Sequence, residues 1–124
     1  MHVEAIRRYC LSFPGAKENL QWGDDLCLKV EGKIFAIVTL DSVPQRFCCK
    51  CAPEKFEELL EQEDIRAAPY LGRYKWIMLD RLDALPPEEM RKLIRESYAM
   101  VSAKVRAPKP GKSGAPGKIK KRKK

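Results

Sequence analysis

The chain has 124 residues, 34% charged and 44% hydrophobic, with 25 Lys and Arg against 17 Asp and Glu. That composition excludes a wholly disordered chain, and the absence of any run near the roughly 20 apolar residues of a spanning helix excludes a helical membrane protein. Charge is unevenly placed: residues 104–124 hold ten of the basic groups and no acid, so residues 1–103 carry fifteen basic groups against 17 acidic ones. The body is nearly neutral and the end of the chain is a polycation.

In chain order, Val3, Ile6, Tyr9, Cys10 and Phe13 fall on one helical face, and Pro14-Gly15 ends that helix. Residues 26–30 and 34–40 read as strands of a hairpin around Glu31-Gly32, where glycine tolerates the backbone angles of a tight turn. The second of these strands alternates Ile34, Ala36, Val38 and Leu40 with Phe35 and Ile37, so it is expected to be central and covered on both faces. Asp41-Ser42-Val43-Pro44 turns the chain into a third strand, 46–51, which points Phe47, Cys49 and Cys51 to one face and Arg46, Cys48 and Lys50 to the other.

Pro53 opens a second helix, to about residue 63, with Phe56, Leu59 and Leu60 inward and Glu54, Glu57, Glu58 and Glu61 outward. Residues 65–72 read as a loop broken by Pro69, and 74–79 as a strand. The last helix, from Pro87 to about Val105, turns Met90, Leu93, Ile94, Tyr98 and Val101 inward. Lys104 and Arg106 continue or cap it, where cations suit the negative end of the helix dipole. The predicted class is α+β in two layers, an antiparallel sheet with helices packed on it.

From residue 107 onward, three Pro, three Gly and a closing basic run cannot bury enough apolar area to offset the entropy of ordering. The chain therefore divides into a domain, 1–106, and a disordered cationic tail, 107–124. Five cysteines with no signal-peptide pattern before them (Glu4, Arg7 and Arg8 interrupt the first residues) imply reduced thiols and a cytoplasmic location. Cys48-Cys49-Lys50-Cys51 splits across two strand faces and lacks converging partners, with His2 the sole imidazole, so these cysteines read as small buried hydrophobes, and no metal or cofactor is expected.

The residues also resemble a known family. Leu11-x-Phe13-Pro14-Gly15-Ala16-x-Glu18, Trp22-Gly23, Lys29-Val30-x-Gly32-Lys33-x-Phe35-Ala36, Lys50-Cys51-x-Pro53-Glu54, Ala68-Pro69-Tyr70-Leu71-Gly72-Arg73-Tyr74-Lys75-Trp76 and Ser97-Tyr98 with Lys104 recur in that order. Over residues 1–106 the chain resembles the MmcQ/YjbR proteins, small bacterial proteins often labelled DNA-binding. The resemblance implies an α-β(3)-α-β(2)-α layer like that of secretion chaperones. Where members of that family often have histidine before the second tryptophan, this chain has Lys75.

Two functional classes follow. In the first, the tail binds nucleic acid through Lys109, Lys112, Lys118, Lys120, Lys121, Arg122, Lys123 and Lys124, and the domain adds Arg73 and Lys75, with Tyr70, Trp76 and Trp22 as possible stacking faces. In the second, the sheet face binds a protein or small ligand and the tail serves solubility. Convergence of Arg46, Lys50, Arg66, Arg73, Lys75 and Arg81 on one face favours the first class, and a dominant apolar patch favours the second. Packing competes for the aromatics, because strand alternation sends Trp76 inward and Lys75 to solvent. Asp24-Asp25 and His2 form no recognisable catalytic set, so no enzymatic activity is expected.

Overall fold

The structure, a computed structural model, describes residues 1–21, 24–69 and 71–106. Among them three helices pack on a six-stranded antiparallel sheet: α1 (Val3–Leu11), β1 (Ala16–Gln21), β2 (Asp25–Val30), β3 (Lys33–Thr39), β4 (Arg46–Lys50), α2 (Pro53–Leu60), β5 (Ile65–Ala67), β6 (Trp76–Leu79) and α3 (Pro87–Arg106). The strand order is β1-β2-β3-β4-β6-β5. The predicted α+β layers are present, and the sheet holds more strand than the sequence pattern marks.

The added strand is β1, whose AKENLQ sequence carries too few apolar residues to be read as half of a buried sheet. It forms because it needs only one neighbour. Its residues pair with β2 from Ala16↔Val30 to Gln21↔Asp25, and the Arg7 guanidinium fastens it to α1 with two 2.7 Å hydrogen bonds to the Glu18 carboxylate. Residues 65–72, expected as a loop, begin with the three-residue edge strand β5, paired from Ile65↔Leu79 to Ala67↔Ile77. The strand expected from residue 74 starts at Trp76, because Gly72–Tyr74 forms a turn of 3₁₀ helix that Lys75 closes with a left-handed φ of 67°.

β3 is central, between β2 and β4, but its side chains do not simply alternate. The β2–β3 register shifts between Leu28↔Ala36 and Lys29↔Ile34, leaving Phe35 as the extra residue of a β-bulge. Phe35 and Ala36 both join the helix-side core, while Ile34 and Ile37 pack on the other face. Phe35 is fully buried, edge-on to Tyr98 at 5.3 Å and to Phe13 at 6.3 Å, and Phe13 stacks on Tyr98 at 4.6 Å.

α3 lies across this point and satisfies it. The buried Ser97 hydroxyl donates to the Phe35 carbonyl at 2.6 Å and accepts from the Lys50 amide at 3.0 Å. The paired register of β3 and β4 runs from Thr39↔Arg46 to Ala36↔Cys49, so Ser97 bridges the two strands just past their last paired residues. All three helices bury their apolar stripes in this one core, with Ile6 and Cys10 from α1, Phe56 from α2, and Met90, Leu93, Ile94, Tyr98 and Val101 from α3.

Candidate functional site: the second face of the sheet

The face turned away from the helices carries the features that packing alone does not require. Alternation places Arg46, Cys48 and Lys50 of β4 on it, with Ile37 opposite Cys48, Met78 opposite Cys48 from β6, and Arg66 opposite Met78 from β5. Lys17 and Lys29 stand directly opposite each other on β1 and β2 and extend the same face. Its apolar centre is a small second cluster of Cys48, Ala68 and Trp76, with Ile34, Ile37, Leu71 and Met78 packed against it and only half-buried.

The cations are steered by few acids. Asp80 accepts from Arg66 at 3.1 Å and lies 4.0 Å from Arg46, and the Lys50 ammonium donates to the Tyr74 carbonyl at 3.2 Å. Asp25 lies on the same face, and its pKa is raised by burial, then by the neighbouring charge of Asp41, against a lowering hydrogen bond from Thr39. By contrast Glu54, Glu57, Glu58 and Glu61 are exposed on α2, in the helix layer. The domain is thus electrostatically two-sided, basic on the second face and acidic over α2.

The residues singled out from sequence are divided by this geometry. Arg46, Lys50 and Arg66 share the second face. Lys75 does not: its left-handed backbone turns the side chain to the helix side, with the ammonium 4.7 Å above the Phe56 ring, which corrects the expectation that alternation sends it to solvent. Arg81 is held by Asp83 at 3.0 Å and Asp64 at 3.8 Å. Trp76 is 9% exposed, an anchor of the second cluster. Trp22, Tyr70, the Arg73 side chain and the tail cations Lys109, Lys112, Lys118, Lys120, Lys121, Arg122, Lys123 and Lys124 lie outside the described residues.

Lys17 and Lys29 carry no signal in the sequence, because β1 lacks a strand pattern and two lysines twelve residues apart are unrelated until the β1–β2 ladder pairs them. The cysteines are free and buried, and burial pushes the thiols of Cys10 and Cys48 up to about 12 and that of Cys51 up to about 11. Thiols held protonated in this way are poor nucleophiles and poor metal ligands. Among the described residues no group of three His, Cys, Asp or Glu is placed to hold a metal ion. His2 accepts the Ala5 amide as the N-cap of α1 and lines a surface cavity of about 730 Å³ with Leu40, Val43, Arg81 and Leu82. No helix among the described residues is long and apolar enough to cross a membrane.

A helix layer on one side of an antiparallel sheet and a basic, partly apolar face on the other define a small α+β domain. The chain belongs to the YjbR family, whose pattern it matches over residues 11–100. It is similar to the crystal structure of a Deinococcus radiodurans protein with a DUF419 domain, at 25% identity and a TM-score of 0.75, over 82% of this chain and 79% of that one. A Pseudomonas syringae protein shares the fold at 18% identity and a TM-score of 0.67, over 81% of this chain and 98% of that one. No curated protein matches the sequence.

Proposed function

We propose that the protein is a non-catalytic nucleic-acid-binding protein of the cytoplasm, in which the second sheet face contacts the phosphate backbone and the basic end of the chain adds sequence-independent affinity. The observation that carries this reading is the placement of Arg46, Lys50 and Arg66 with Lys17 and Lys29 on one face, while the exposed acids of α2 lie in the opposite layer. A phosphate backbone is attracted to the first surface and repelled by the second, which orients the domain on its ligand.

Residues 107–124 supply eight further cations. Contacts of this kind give dissociation constants of roughly 10⁻⁴ to 10⁻⁶ M at physiological salt, and engaging five to eight of them gives a slope of log K against log salt of about −4 to −7. Salt-titrated binding of duplex DNA to the full chain and to residues 1–106 tests the reading. Truncation is expected to remove most of the affinity and flatten the slope; undiminished affinity in the truncated chain defeats the role given to the tail.

A second reading, a protein- or ligand-interaction module, is favoured by the half-buried Ile34, Ile37, Leu71 and Met78 at the centre of the same face. It gains if the chain binds no nucleic acid at any salt concentration and if light scattering finds a self-association that Ile37→Lys abolishes.

A further inference from the structure

We propose that Lys17, Lys29 and the turns at Gly15 and Gly32 form a phosphate-binding corner at one end of the second face. In the β1–β2 ladder Lys17 and Lys29 are directly opposed. Like charges so placed on neighbouring strands destabilise a sheet, and among the described residues neither ammonium has an ion-pair partner. Both instead line one cavity of about 360 Å³ with Gly15, Glu31 and Gly32. A bound anion relieves the repulsion that folding imposes on this pair, so the arrangement stabilises the loaded state more than the empty one.

Two further features shape the corner. The β3 bulge turns the Phe35 ring into the helix-side core and leaves Ile34 as the neighbour of Lys29, which keeps a bulky ring away from the lysine pair. The Tyr98 hydroxyl of α3 donates to the carbonyl of Pro14, the residue before Gly15, and α3 ends at Arg106, about 12 Å of helix beyond Tyr98. Glu31 also lines the cavity.

The ligand chemistry is a phosphate group, carried by a nucleic-acid backbone or by a free phosphate. The nucleic-acid source rests on the function proposed above, and the free-phosphate source does not. The test compares the full chain with full-length Lys17→Gln/Lys29→Gln and with Lys17→Gln alone. Removing the repulsion is expected to leave thermal stability equal or raised, which separates lost binding from lost folding.

Inorganic phosphate, followed by amide chemical shifts, is expected to move Gly15, Lys17, Lys29 and Gly32 saturably in the native chain and not in the double variant. In duplex DNA titrations the double variant is expected to lose close to 2 from the magnitude of the salt slope, and the single variant close to 1. Phosphate-dependent shifts with an unchanged DNA slope assign the corner to free phosphates. A reduced slope without inorganic-phosphate shifts assigns it to the nucleic-acid backbone. Absence of DNA binding by the native chain overturns the proposed function and leaves the phosphate titration to decide the corner. No saturable shifts together with an unchanged slope, or shifts that persist in the double variant, overturn the proposal.

Discussion

The two faces of the sheet are made from the same strands, yet among the described residues the helices close one and leave the other half-buried. On the helix side Leu28, Val30, Phe35, Val38, Phe47 and Leu79 have no accessible surface, and residues from all three helices meet them. On the second face Cys27, Cys48, Ala68 and Trp76 are buried, while Ile34, Ile37 and Met78 are only half-buried and lie among Lys29, Arg46, Lys50 and Arg66. The first face supplies the burial that holds the fold, about 25 cal/mol per Å² of apolar area. The second spends few apolar residues and keeps cations that a closed core could not accommodate without partners.

If that division is right, substitutions on the two faces separate in size. Phe35→Ala removes a fully buried ring packed on Phe13 and Tyr98 and is expected to cost about 3–5 kcal/mol in urea unfolding. A cost like that of a surface change would break the comparison. Ser97→Ala, which leaves the Lys50 amide and the Phe35 carbonyl without their shared partner, is expected to cost about 1–3 kcal/mol by the same measurement.

On the second face, Ile37→Ala is expected to cost only about 1–2 kcal/mol, because a half-exposed side chain returns less apolar area to water. A loss as large as that of Phe35 would show that this face is core rather than surface. The smallest expected effect is at Asp25. Burial raises its pKa above the unfolded value, so its ionised form subtracts stability at neutral pH, and the penalty fades as pH falls through the folded-state pKa. Thermal melts of Asp25→Asn are therefore expected to lie slightly above those of the native chain at pH 7 and to coincide with them in acid.

Much of this was legible in the residues. The inward sets of α1 and α3, the acidic outer face of α2 and the split of Phe47, Cys49 and Cys51 from Arg46, Cys48 and Lys50 follow from periods of 3.6 and 2 that the sequence displays directly. Periodicity fails where a strand is specified by its neighbours. β1 and β5 have weak patterns and exist through the ladders of β2 and β6, and the Phe35 bulge reverses an alternation that looked regular.

The amino-acid sequence by itself determined the family, the layered α+β class, the near-neutral body and the basic end, because each rests on residue identity or on order along the chain. Only the tertiary structure decided which cations share a face. Strand pairing set Lys17 against Lys29 and gathered Arg46, Lys50 and Arg66, while a left-handed φ at Lys75 carried that ammonium to Phe56 on the other side. Charge adds up along a chain, but a binding surface is a matter of which side chains share a face, and that is fixed by register, bulges and turns.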